Sequence, residues 1–287
     1  MPEIMVVTDS VAQIPPDMAE RYHIGVIPFS IIIGGRSFKD GTDISPAELY
    51  HRMRTEIILP QTSHPSVGEY INFFKRYLDK DTRSILYFTL SEKLSGAFST
   101  ASKAAQMLEG EYPGKKIVPF DTGTATIAQG FFAIKAAQAV QDGEDIEHLL
   151  ELAQETRAKV GFVAMLETLF YLERGGRIGK AAFLAGSLIK IKPVLTIDNE
   201  GLVTPISRIR GDKKYLEKLV NCLGDMIGDK VPQQISVMHT DEIEKAKRLK
   251  RLAQERFHLE DIFITDFTPV MGAHAGPGVI GLGYYLK

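Results

Sequence analysis

Three short apolar runs in the first half of the chain, Ile4–Val7, Ser84–Thr89 and Lys116–Phe120, each end in a polar loop and lead into a helix-forming stretch. That order constrains the fold more than any other feature. Strands linked through crossover helices lie side by side in the same direction, with the helices packed on the sheet. The first half is therefore expected to be an α/β lobe with a largely parallel sheet. Local punctuation agrees with this. Pro15-Pro16 opens a helix to about Tyr22, because proline is tolerated in a first turn. Ser45-Pro46-Ala47-Glu48 gives a serine cap, a proline and a glutamate in the order that starts a helix. A strand is expected over Gly25–Ile33, with Pro28 marking an edge or a bulge, and Gly34-Gly35 turns it back. Further helices are expected after the loop Gln61–Ser66, from Gly96, from Ala125 and from Ile146.

The second half alternates less regularly. Strands are expected at Val160–Met165, Val194–Ile197, Leu202–Ile209, Ile235–His239, Ile262–Phe267 and Val279–Tyr285. Helices are expected at Glu167–Glu173, Ala181–Ile189, Lys213–Ile227 and Asp241–Phe257. Asp198-Asn199-Glu200-Gly201 joins two of the strands as a hairpin, so this lobe is expected to carry a mixed sheet. With 287 residues there is room for two α/β domains, and the boundary is expected at Thr156–Lys159, giving 1–158 and 159–287.

Composition removes several function classes. The net charge is −2, with 44% hydrophobic and 24% charged residues, so the chain carries no overall basic footprint for nucleic acid. Cys222 is the sole cysteine, which excludes an intrachain disulfide and a thiolate metal cluster. The first residues read as a strand and not as a signal peptide, and no apolar run reaches the ~18 residues of a membrane span. A cytoplasmic protein is expected, with transient membrane contact left open.

Some motifs look like chemistry and are not read as such. Gly276-Pro277-Gly278-Val279-Ile280-Gly281 fits G-x-G-x-x-G but has no helix after it, so the dinucleotide fingerprint is rejected. The histidines show no metal-binding spacing. The run Lys245–Arg251 is read as the solvated face of an amphipathic helix, and as a docking surface only in an alternative reading as an interaction module.

Two hydroxyl loops remain. Gln61-Thr62-Ser63-His64-Pro65-Ser66 and Leu94-Ser95-Gly96 each place short hydroxyl side chains before a helix, where backbone N–H groups and the helix dipole favour an anion. Either loop alone is explained by helix capping. Two in one lobe point to an oxyanion site. A phosphotransferase or phosphatase is the alternative use of such loops; it needs a metal or a general base near them, and Asp9 and Asp121 are the candidates, though neither sits in a metal-ligand pattern and both also suit loop capping.

With these loops in view, the chain resembles the DegV family of fatty-acid-binding proteins over its whole length. The resemblance rests on Thr8-Asp9-Ser10, Thr62-Ser63-His64-Pro65-Ser66, Leu94-Ser95-Gly96, Asp121-Thr122, Leu172-Glu173-Arg174-Gly175-Gly176-Arg177-Ile178, Ile191-Lys192-Pro193-Val194-Leu195 and His274-Ala275-Gly276-Pro277-Gly278. His64 and Ala97-Phe98 depart from the family's usual pattern, outside the hydroxyl positions. The resemblance implies two α/β domains with an acyl chain between them, and a carboxylate held by Thr62 and Ser95. The ligand class is a long-chain fatty acid such as palmitate, stearate or oleate, with no cofactor, no metal and no catalysis by the chain itself. A fatty-acid kinase that converts the bound carboxylate to an acyl phosphate for phospholipid synthesis is the implied partner. Ser63 and Gly96 are supporting polar groups. His274 is either a third polar group of the site or a turn histidine, and Arg174 and Arg177 are either surface cations or a docking patch projecting away from the lipid. Leu166–Leu172 and Phe183–Ile191 are candidates for the tail tunnel.

Overall fold

A computed structural model describes residues 3–56, 58–184, 191–210 and 214–287. In chain order the first half runs β1 (Ile4–Asp9), α1 (Pro16–Arg21), β2 (Gly25–Ile27), β3 (Ser30–Ile33), β4 (Arg36–Lys39), α2 (Pro46–Thr55), β5 (Gln61–Ser63) and α3 (Val67–Leu78). It continues with β6 (Ser84–Thr89), α4 (Ala97–Glu109), β7 (Lys116–Asp121), α5 (Thr126–Gln141) and α6 (Ile146–Thr156). The second half runs β8 (Val160–Met165), α7 (Phe170–Arg174), β9 (Ile191–Ile197), β10 (Val203–Arg210), α8 (Tyr215–Ile227), β11 (Pro232–His239), α9 (Ile243–Phe257), β12 (Ile262–Asp266), α10 (Pro269–Ala275) and β13 (Ile280–Leu286). Short 3-10 turns lie at Ser10–Ala12 and Gly179–Leu184.

The expected α/β class holds. The first sheet has the order β2-β1-β6-β7 and is parallel throughout. Its central strand β6 is buried at every residue, as a strand covered on both faces requires. The second sheet, β10-β9-β8-β13-β11-β12, is mixed: β11 and β12 pair in parallel and the other neighbours are antiparallel. Helix α5 is apolar on almost all sides because it lies between the sheets, its Phe131 against Tyr285 of β13 and its Phe132 against Phe88 of β6. One apolar cluster therefore runs from Val6 and Phe88 through α5 to Phe162, Leu195 and Tyr285. A second fills the space between the mixed sheet and helices α8 and α9 through Leu219, Leu223, Ala246 and Leu249. The basic residues of α9 face outward, with Lys245, Lys247 and Arg248 paired to Glu242, Glu244 and Glu217.

Four local expectations are corrected. The strand expected over Gly25–Ile33 breaks at Pro28, which has no N–H to keep the ladder going, and β2 and β3 join different sheets. Gln61–Ser63 is strand and not loop: Thr62 pairs with Ile31 in a small antiparallel sheet of order β4-β3-β5. Ser66, three residues on, caps α3 in a capping box with Glu69. In place of an apolar helix starting at Ala181, Gly179–Leu184 forms a 3-10 turn in which Phe183 is 70% exposed, and the rest of that expected helix lies outside the described residues. Finally, Pro269–Ala275 is a helix; Pro269 at its first position and Gly276 just past its end are the signal that marks it. Among the described residues, no helix is long and apolar enough to cross a membrane.

Candidate functional site

The two sheets and the small antiparallel sheet converge on a cavity of about 360 Å³. Most of its wall is apolar and drawn from both halves of the chain, including Phe29, Leu90, Phe162, Leu195 and Val270. Leu166 and Leu172, from the stretch singled out for a tail, also face it. Its polar groups include Thr62, Ser63, Ser95, Gly96, His274 and Arg177, six of the seven residues singled out in the sequence.

Each polar side chain is set by its own element. Thr62 is fixed by the β3 ladder, which makes its hydroxyl part of a sheet edge and not of a helix cap. Ser95 precedes α4, whose first cap residue is Gly96, and its Oγ accepts the Ala97 N–H at 3.3 Å. Its own hydroxyl proton remains available to an acceptor at the positive end of a 13-residue helix. His274 sits in the last turn of α10, and its Nε2 lies 2.8 Å from Thr62 Oγ1.

Helix α10 is held from the first lobe. The Asp40 carboxylate accepts the Val270 N–H at 3.1 Å, and the Tyr50 hydroxyl donates to the Phe267 carbonyl at 2.7 Å. Gly175 packs so closely on the imidazole that a Cβ there would overlap His274 Nδ1. The Gly175-Gly176 pair therefore makes room for the histidine as well as turning the chain.

Burial first, and then the nearby Arg177 charge, push His274 down to about 4, so the ring is neutral at physiological pH. A neutral imidazole has one N–H, and Nδ1 is buried with no hydrogen-bond partner. Leaving a bare nitrogen unpaired costs less than burying an unpaired N–H, so the proton belongs on Nε2. Nε2–H then donates to Thr62 Oγ1, which leaves the threonine hydroxyl proton free to be donated to a group in the cavity.

The structure separates the two arginines. Arg174 lies over the Phe170 ring at 5.5 Å and is exposed. Arg177 is exposed as well, but it also borders the cavity, donating through Nε to the Leu94 carbonyl at 3.1 Å and so tying the two halves at the Ser95 loop. Asp9 and Asp121 serve their loops. Asp9 Oδ1 accepts the Val11 N–H at 3.0 Å, and Asp121 Oδ1 accepts the N–H groups of Gly123 and Glu92 at 3.0 and 3.2 Å. Neither lines the cavity. Among the described residues there is no group of three or more His, Cys, Asp or Glu able to hold a metal. Sequence reasoning missed Thr126, a buried β-branched residue held at φ 64° on the cavity wall, and no local signal marks it.

A family model described as "Uncharacterised protein, DegV family" matches residues 3–287. Protein DegV of Bacillus subtilis is 31% identical over 286 residues, 99% of each chain. The chain is also similar in structure to a crystal structure of DegV, described as a fatty acid binding protein from Bacillus subtilis, with a TM-score of 0.88, 28% identity and full coverage of both chains. A stearic-acid-binding protein from Eubacterium ventriosum superposes with a TM-score of 0.89 at 25% identity, covering 100% of this chain and 99% of that one. Matched from end to end in sequence and in fold, the chain belongs to the DegV family.

Proposed function

We propose that the protein binds one long-chain fatty acid, with its carboxylate on the Thr62 and Ser95 hydroxyls and its tail in the apolar cavity. The observation that carries this reading is the Thr62–His274 pair at 2.8 Å, which leaves a hydroxyl proton to be donated into a cavity whose wall is mostly apolar. Two hydroxyl donors and the N-terminal end of α4 stabilise an anion by charge-assisted hydrogen bonds without a buried lysine. Ser63 and Gly96, their neighbours in the chain, also line the cavity. Burial of each methylene contributes about 0.8 kcal/mol, so a sixteen-carbon tail offers on the order of 12 kcal/mol before the costs of association. Relatives described as binding fatty acid, stearic acid among them, support the ligand class.

In this reading residues 1–158 supply the carboxylate hydroxyls, while residues 159–287 supply His274, Arg177 and much of the tail wall. The protein then acts as a carrier that presents the carboxylate to a fatty-acid kinase, with Arg174 and Arg177 at the presenting face. Ligand extracted from the purified protein and identified by mass spectrometry tests the binding step. Near-stoichiometric fatty acid is expected. An extract without acyl species, together with no uptake of added palmitate or oleate, overturns the reading.

A further inference from the structure

The loop that carries Ser95 is organised by Ser91, a fully buried residue just past the end of β6. Its N–H donates to the Thr124 carbonyl at 2.7 Å, which ties the loop to the chain ahead of α5. Its carbonyl accepts the N–H groups of Leu94 and Ser95 at 3.0 and 3.2 Å, which folds the loop back and brings Ser95 to the start of α4. Its Oγ accepts the Lys93 N–H at 3.2 Å and donates to the Gly201 carbonyl at 2.9 Å. Gly201 alone among these partners belongs to the second half of the chain, 110 residues away.

Gly201 lies at the tip of the β9–β10 hairpin, and the tip is built to present that carbonyl. The Asp198 carbonyl accepts the Gly201 N–H at 2.9 Å, while Asp198 Oδ1 accepts the N–H groups of Glu200 and Leu202 at 3.0 and 3.2 Å. Lys180 braces the turn from outside, pairing with Asp198 and Glu200 at 2.7 and 2.8 Å. Gly201 itself is buried at φ 79°, and a Cβ there would lie 2.3 Å from Ser91 Oγ. Both the backbone conformation and the contact therefore call for glycine.

The same hairpin is cavity wall, through Leu195, Thr196, Ile197 and Val203. Its tip thus closes the wall against the first half at the loop that supplies the Ser95 hydroxyl. The Arg177 bond to the Leu94 carbonyl grips that loop a second time from the second half. A binding group has to be held within about 0.5 Å of its productive position to make its full hydrogen bond, and a loop does this only when its supports are fixed.

We propose that Ser91 is a positioning residue for the carboxylate site: docking of the β9–β10 tip on its hydroxyl holds the loop that presents Ser95. Recognition of the carboxylate then depends on closure of the second half over the first. This inference rests on the reading of Ser95 as a carboxylate donor.

Two variants of the full-length protein undo the contact from opposite sides. Ser91→Ala removes the donor, and Gly201→Ala drives the tip off an intact serine. In the ligand-free protein, backbone amide hydrogen exchange is expected to quicken at least tenfold at Leu94 and Ser95 in both variants, with the amides of β6 exchanging as in the wild type. That contrast separates release of the loop from unfolding of the lobe. In calorimetric titrations, both variants are expected to lose at least fivefold more affinity for oleate than for oleyl alcohol. Adding Ser91→Ala to Ser95→Ala is expected to cost less than a further twofold for oleate. A change that only loosened the tail wall would weaken both ligands alike. The proposal is overturned if exchange at Leu94 and Ser95 is unchanged, if oleate and oleyl alcohol lose equally, or if the Ser91 and Ser95 losses simply multiply. A wild-type protein that binds neither ligand overturns the fatty-acid reading instead, and exchange at Leu94 and Ser95 then still decides whether the tip holds the loop.

Discussion

Replacing Thr62 by valine keeps the branched shape of the side chain and removes one oxygen. That oxygen has two neighbours in the proposed complex, the ligand carboxylate and His274 Nε2 at 2.8 Å. The two losses fall on different measurements. The imidazole loses its partner in the free and the bound protein alike, so that cost cancels from affinity and appears in stability. Thr62 is only half-buried, so the stability cost is about 1 kcal/mol, a drop of roughly 2–4 °C in Tm for a chain of this size. The hydrogen bond to the carboxylate exists only in the complex. Its loss is expected to weaken binding by about 1.5–3 kcal/mol, or roughly ten- to a hundredfold in Kd. Calorimetric titration with oleate measures this, and oleyl alcohol, with the same tail and no charge, is the control. Because His274 acts on the ligand through Thr62, His274→Ala in the Thr62→Val background is expected to cost little further affinity, whereas His274→Ala alone is costly. Unchanged oleate affinity in Thr62→Val, an equal loss for the alcohol, or strictly additive effects in the cycle would each refute the assignment.

Gly175→Ala is expected to weaken oleate binding at least tenfold, since its Cβ displaces the imidazole, whereas Gly176→Ala, at φ 71° and facing open space, is expected to lower Tm and leave affinity unchanged. Burial pushes Asp9 up to about 7 from 3.8, so the stability tied to its proton is complete below pH 3.8 and lost as pH rises through 7. Asp9→Asn, read by denaturant melts from pH 5 to 8, is expected to flatten that decline, and an unaltered profile refutes the shift. Arg174→Glu is expected to leave oleate affinity within about twofold while acyl-phosphate formation by a fatty-acid kinase falls at least tenfold. Normal turnover in a coupled assay with equally loaded protein would make Arg174 an ordinary surface cation.

Strands β1, β6 and β7 of the parallel sheet were legible because each has six residues and their loops and helices are regular enough for local pattern to specify them. Strand β5 was not: with three residues it has no periodicity of its own, and its pairing with β3 decides its state. Thr62 was therefore singled out for its chemistry, and it does line the cavity, while its setting was misread. Arg177 shows the converse limit. A short helix ending in two glycines gives no direction for the next side chain, and its hydrogen bond to the Leu94 carbonyl spans 83 residues.

His274 joins both lessons. The Pro269 and Gly276 bracket marks its helix, but nothing local says that the last turn faces a threonine 212 residues earlier. What links them is a requirement of the chemistry: a carboxylate held without a buried cation needs hydroxyl donors whose protons are turned toward it, and a hydroxyl that can rotate freely does not supply that. An N–H donated into Thr62 Oγ1 restricts the rotation. A neutral histidine with its proton on Nε2 provides that N–H while bringing no second charge into the apolar cavity, and burial keeps it neutral, with its titration pushed down to about 4. In the proposed complex, the apolar setting that favours the tail thus also fixes the protonation state that the head group requires.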